Sequence, residues 1–119
     1  MVSDNLPLAM TYRDAQLDAL GNPTRRHILH RLRVGPLSVA EISHGASVTR
    51  PAISQHLKVL KDAGLVVDKA RGTRREYELN PSAFASLREY FDEYWGVALI
   101  AFAREVGNRA PRNHPATEE

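Results

Sequence analysis

The residues best suited to chemistry in this 119-residue chain lie in two stretches, Thr49-Arg50-Pro51-Ala52-Ile53-Ser54-Gln55-His56-Leu57-Lys58 and Arg71-Gly72-Thr73-Arg74-Arg75. Their side chains donate and accept hydrogen bonds. A Gln amide pairs with adenine N6 and N7, Arg forks onto guanine or phosphate, and Ser, Thr and Lys reach base edges or backbone oxygens. The nucleic-acid-contacting candidates are therefore Thr49, Arg50, Ser54, Gln55, His56 and Lys58, with Arg71, Arg74 and Arg75 from the second stretch. His56 serves either a nucleic-acid contact or a hydrogen bond inside the domain.

Other chemistries are excluded or unsupported. Zero cysteines remove disulfides, thiolate metal sites and thiol nucleophiles together. No Gly-rich phosphate loop, His-Glu-x-x-His or nucleophile elbow occurs, and Asp14, Asp18 and Glu41 read as helix-surface acids. His27 and His30 stand three apart, a spacing that can hold a metal, but no third ligand accompanies them and a structural role is favoured. His44 falls in a turn and His114 in the C-terminal tail. The expectation is no catalytic residue, no cofactor and no metal, with the three histidines His27, His30 and His44 the place where a metal would have to bind.

The elements that must position these residues follow from local punctuation. Asn22-Pro23 caps and opens a helix over about 23 to 34, preceded by a short helix from Tyr12 to Leu20 with Leu17 and Leu20 available to pack. Ser38-Val39-Ala40-Glu41 is a capping box that starts a two-turn helix ending near Gly45. Thr49 caps the next helix, Ile53, Leu57 and Leu60 form its buried stripe, and Gly64 closes it. Leu65 to Val67 and Tyr77 to Leu79 read as strands joined by a basic loop, Ala70 to Arg74, in which Gly72 supplies the turn. Alternation puts Arg75 on the same side as Tyr77 and Leu79. Asn80-Pro81 opens a long final helix to about Val106. Two short helices around a Gly-containing turn, followed by a basic-tipped hairpin, make the order of a winged helix-turn-helix. The expected architecture is mainly α with a small β-hairpin, in the order α-α-α-α-β-β-α.

Charge is segregated in a way that fits this reading. Residues 25–75 hold eleven Lys or Arg against three acids, whereas 1–24 and 76–119 are net acidic, so the overall +2 conceals a basic middle. Such a stretch attracts polyanions regardless of sequence. Thirteen of the sixteen bases are Arg, which suits forked contacts to phosphate or guanine, although GC-rich coding produces the same bias.

The string Thr49-Arg50-Pro51-Ala52-Ile53-Ser54-Gln55-His56-Leu57-Lys58-Val59-Leu60-Lys61-Asp62-Ala63-Gly64-Leu65-Val66 resembles the recognition helix of the ArsR/SmtB family of bacterial winged-helix repressors. Leu20 to Leu29 resembles the family's second helix and Gly72 to Pro81 its wing, so the likeness spans roughly residues 12 to 106. The resemblance implies a homodimer that occupies an operator near a promoter. It also marks departures. Metal-sensing relatives carry Cys-Val-Cys where this chain has Ser38-Val39-Ala40, or ligands including His on the last helix, where Ser82 to Val106 has no His. The chain then falls among relatives without those metal-binding motifs.

Dimerisation also follows from the chain itself. Phe84, Leu87, Phe91, Tyr94, Trp95, Ala98, Phe102 and Val106 recur at helical spacing, and Val97 to Ala103 is apolar all round. A domain this small has too little mass to cover every side, so a second copy must. The expected interface uses Leu17 from the first helix and Phe91, Trp95, Leu99 and Phe102 from the last. The domain organisation is a flexible N-terminus over 1–11, a winged helix-turn-helix and dimerisation domain over 12–107, and a polar disordered tail over 108–119. The N-terminus lacks a basic leader and no apolar run can span a bilayer, so the expected partners are double-stranded DNA and a second copy, with no membrane, in the cytoplasm. The alternatives are a related repressor controlled by an unrecognised small molecule or metal, and a winged helix used only for protein contacts.

Overall fold

In the computed structural model, residues 8–109 are described. The chain divides into two compact units, Met1–Ala83 and Phe84–Glu119. The elements run α1 (Leu8–Leu20), α2 (Pro23–Arg31), β1 (Leu37–Ser38), α3 (Val39–Ser43), α4 (Arg50–Asp62), β2 (Val66–Arg71), β3 (Arg74–Leu79) and α5 (Pro81–Arg109).

In the first unit the punctuation works as its chemistry requires. The Asn22 side chain accepts from the Arg25 amide at 3.0 Å, Pro23 opens α2, and the last turn tightens to a 3-10 turn at Leu32–Val34 instead of continuing as α-helix. At the start of α3 both halves of the capping box form: Ser38 N donates to Glu41 Oε1 at 2.8 Å and Glu41 N donates to Ser38 Oγ at 3.2 Å. The helix itself is shorter than expected, five residues. Thr49 Oγ1 accepts from Ala52 N at 3.2 Å to cap α4. Ile28, Leu29, Leu32, Ile42, Ile53, Leu57, Leu60, Leu65 and Val66 are buried and form the core on which α4 is seated. Each contributes about 1.5 to 3 kcal/mol of transfer free energy.

The far end of α4 is fixed by a six-residue motif. Gly64 has φ +79°, its N–H donates to Lys61 O at 2.9 Å, and Leu65 N donates to Leu60 O at 2.9 Å, which satisfies the last carbonyls of the helix. A Cβ on Gly64 would meet the hydroxyl of Tyr12 from α1, the far end of an exposed side chain that can turn aside, so it is the positive φ that calls for glycine here. Asn80 ties the same place to the end of the hairpin: its Nδ2 donates to Gly64 O at 2.8 Å and its amide to Leu65 O at 2.9 Å.

Four expectations are corrected. Helix α1 begins at Leu8, inside the stretch read as a flexible N-terminus, because no Gly or Pro interrupts Leu8 to Leu20. It turns Gln16 and Ala19 inward, leaving Leu17 and Leu20 only half-buried. The sheet has three strands, in the order β1-β3-β2, because Leu37 and Ser38 pair with Tyr77 and Glu76. The hairpin is also longer than its apolar residues indicated. Pairing runs from Val66↔Leu79 to Arg71↔Arg74, which shortens the loop to Gly72 and Thr73, with Gly72 at φ +64°.

The second unit continues α5, which runs unbroken to Arg109, past the expected end near Val106. Gly107 does not stop it, and Asn108 and Arg109, placed in the disordered tail, are helical. Every residue from 91 to 108 is exposed. The expected flexibility of residues 1–7 and disorder of residues 110–119 lie outside the described residues.

Candidate nucleic-acid interface

Helix α4 carries its apolar and polar residues on opposite faces. Ile53 is 2 % exposed, Leu57 and Leu60 are fully buried, and Thr49, Arg50, Ser54, Gln55 and Lys58 are exposed. These five side chains thus share one outward surface, from the N-cap to the third turn. His56 is half-buried at the margin between the faces. Lys58 Nζ pairs with Asp62 Oδ2 at 3.0 Å, one turn on.

The wing places Arg71, Arg74 and Arg75 at the outer end of the hairpin, all exposed, and each is met by a carboxylate. Arg71 Nε donates to Glu76 Oε1 at 2.9 Å, Arg74 to Glu41 Oε1 at 2.6 Å, and Arg75 to Asp68 Oδ2 at 3.0 Å. Arg75 shares a face of β3 with Tyr77 and Leu79, as alternation requires, but stands beyond these half-buried residues toward the tip, where it is exposed and reaches Asp68, the cross-strand neighbour of Tyr77. Lys61 reaches Asp68 at 3.0 Å and Lys69 reaches Glu78 at 2.7 Å. Arg50 is therefore the one basic side chain from residue 50 to 75 with no carboxylate partner among the described residues.

Two of these acids carry the electrostatic signature of their position. The Ser38 backbone N–H first, and then the Arg74 guanidinium, hold the Glu41 carboxyl below its ordinary value of 4.5. The Lys61 ammonium first, and then Arg75, hold Asp68 below 3.8.

Part of the basic stretch has another purpose. Arg25 Nε donates to Ala19 O at 2.8 Å and Arg26 to Leu20 O at 2.8 Å, satisfying carbonyls at the end of α1. Arg31 donates to Ile42 O and Glu41 O, both at 2.9 Å, and does the same for α3. Positive groups are favoured at helix C-termini, so these arginines are spent on the fold. Sequence charge counted them as available. The acids Glu41, Asp68 and Glu76 were the residues missed; only the placement of Glu76 and Asp68 within a basic hairpin hinted at them.

His27, His30 and His44 are exposed, and His30 Nε2 lies 3.0 Å from an Arg33 nitrogen. Among the described residues no three His, Asp or Glu side chains gather as a metal site. Of the candidate dimer residues, Leu17 is half-buried on α1, and Phe91, Trp95, Leu99 and Phe102 are exposed on α5, Trp95 by 62 % and Phe102 by 65 %. No helix among the described residues is long and apolar enough to cross a membrane.

Helices α3 and α4 around the Gly45-containing turn, with a three-stranded wing behind them, define a winged helix-turn-helix DNA-binding protein. Comparison with known proteins supports this. Residues 22–67 match the bacterial regulatory proteins of the arsR family. The HTH-type transcriptional regulator Rv2034 of Mycobacterium tuberculosis is 50% identical over 98 residues, 81% of this chain and 92% of that one. The transcriptional repressor SdpR of Bacillus subtilis is 37% identical over 62 residues, 52% of this chain and 69% of that one. The homodimeric winged helix-turn-helix DNA-binding domain of Mb0332 from Mycobacterium bovis superposes with a TM-score of 0.62 at 24% identity, covering 90% of this chain and 91% of that one. The protein belongs to the ArsR family, and as a member is a DNA-binding transcriptional regulator, not an enzyme.

Proposed function

We propose that this protein is a homodimeric repressor that acts in the cytoplasm on an imperfectly palindromic operator. Helix α4 enters the major groove, where Gln55 and Ser54 read base edges and Thr49, Arg50 and Lys58 hold the groove edge and backbone. Arg71, Arg74 and Arg75 of the wing lie along the adjacent phosphates. The observation that carries this reading is the outward row of α4: side chains of base-reading type on one exposed surface, opposite a buried stripe, with Arg50 met by no acid among the described residues.

Pairing of two copies through the apolar face of α5 supports the palindrome. Exposed contiguous apolar surface of this kind marks an interaction site, and two-fold symmetry spaces two reading helices by about 34 to 36 Å, one turn of the duplex. Two variants test the two halves of the proposal. Gln55→Ala costs about 1 to 3 kcal/mol on the operator and little on random duplex, because a bidentate base contact carries discrimination. Equal losses on both DNAs remove Gln55 from the reading set. Phe102→Glu puts a charge into the paired surface and yields monomers or aggregates with operator binding lost. A Phe102→Glu dimer that still binds the operator excludes this face.

A further inference from the structure

The acids of the wing differ from its bases in how firmly they are held. Glu76 and Asp68 have side chains only 16% and 11% exposed, whereas their partners Arg71, Arg74 and Arg75 are 73%, 50% and 55% exposed. Glu41 is more open, but the Ser38 amide fixes its carboxylate at 2.8 Å as half of a capping box. Glu76 also stands 3.8 Å from Arg74, so that arginine lies between two carboxylates. The acids are anchored, and the cations are the members free to swing outward. A phosphate approaching the wing therefore meets guanidinium groups already occupied by oxygen anions of similar geometry.

We infer that Glu41, Asp68 and Glu76 are built-in competitors of DNA phosphate, holding the wing arginines in the free protein and restraining its attraction to duplex DNA of any sequence. On binding, each arginine exchanges a carboxylate for a phosphate. The counterion released from the DNA is partly offset by the cation that the vacated carboxylate gathers. The wing thus adds less affinity and less salt dependence than three free arginines would. Phosphate is present on every duplex, so the restraint acts alike on operator and random DNA, leaving discrimination to α4. This inference rests on the DNA-binding reading of the wing.

Glu41→Gln tests it. A Gln at this helix position still completes a capping box, so α3 keeps its start while Arg74 loses its main charged partner. An exposed ion pair holds only weakly, so affinity rises by up to about fivefold on operator and random duplex alike. The slope of log K against log salt steepens by up to about 0.9. In an Arg74→Gln background the same substitution changes neither quantity. Glu76→Gln, assayed beside it, shifts affinity and slope in the same direction. Unchanged affinity and slope in both variants, with native melting transitions, overturn the inference. So does an equal gain in the Arg74→Gln background, which makes the effect one of net charge, and so does a gain confined to the operator. The underlying reading is separately exposed: wild-type protein with no salt-dependent retention on any duplex refutes the wing as a DNA contact, whatever Glu41→Gln does.

Discussion

Helix α4 and the wing carry similar charge in the sequence and present it differently in space. The first turn of α4 offers Arg50 with no described acid against it, while every arginine of the wing is matched to a carboxylate within 3.0 Å. A further four arginines of the basic middle, Arg25, Arg26, Arg31 and Arg33, bind helix-end carbonyls. The comparison teaches that net charge along a chain is an upper limit on the charge a partner meets. What decides the remainder is whether an anchored acid or an orphan carbonyl lies within reach.

The largest expected effect concerns the supports of the two regions. Gly64→Ala places a Cβ in the left-handed region and makes the exposed Tyr12 ring give way, and its cost in unfolding free energy somewhat exceeds that of the backbone alone, about 1 to 2 kcal/mol. Gly72→Ala, at the wing tip, meets nothing within 4 Å and costs about 1 to 2 kcal/mol for its backbone alone. Urea titration of the pair measures the gap. Equal losses show that the end of α4 is no more constrained than the wing.

Next in size is the contrast between two arginines. Arg50→Ala flattens the salt slope by about 0.9, the full value for one phosphate contact, and weakens operator and random DNA together. Arg74→Ala flattens it by clearly less, because Glu41 already neutralises that side chain. Identical slope changes erase the distinction between the regions.

The smallest effect is on pH. Glu41 and Asp68 titrate lower in the folded protein than their ordinary 4.5 and 3.8, so the stability they add is complete above those values and is lost as pH falls through the depressed ones. Melting temperatures are flat in this respect from pH 7 to 5 and decline below about 4.5, with Asp68→Asn flattening part of the decline. Glu41 is half-exposed and the Asp68 carboxylate is covered by the exposed side chains of Lys61 and Arg75, so solvent screening keeps the contribution small.

What the sequence made legible was local. The caps at Asn22, Ser38 and Thr49, the stop at Gly64 and the stripe of Ile53, Leu57 and Leu60 each declare themselves within a few residues, and the structure has all of them. What it hid depends on distance. Strand β1 is two residues long, too short for alternation to register, and exists because β3 offers an edge. The Arg74–Glu41 pair joins positions 33 apart, and nothing near either residue announces it. Helix α1 was placed, but its rotation was not: an inward Gln16 contradicts polarity, and only the fit of α1 over its neighbours selects that face. The outward row of α4 was readable because burial of one helical face dictates the other.

Ser38 has a consequence for how the protein meets a curved target. It is at once the last residue of β1, paired with Glu76, and the residue whose side chain starts α3. No linker separates strand from helix, so the wing and the helix-turn-helix share a joint without slack. A tilt of one carries the other with it. On the proposed DNA-binding reading, the strand and the helix that supports α4 move together, so part of the adjustment to a site of slightly different groove width falls to the duplex, whose bending and groove compression depend on its own base steps.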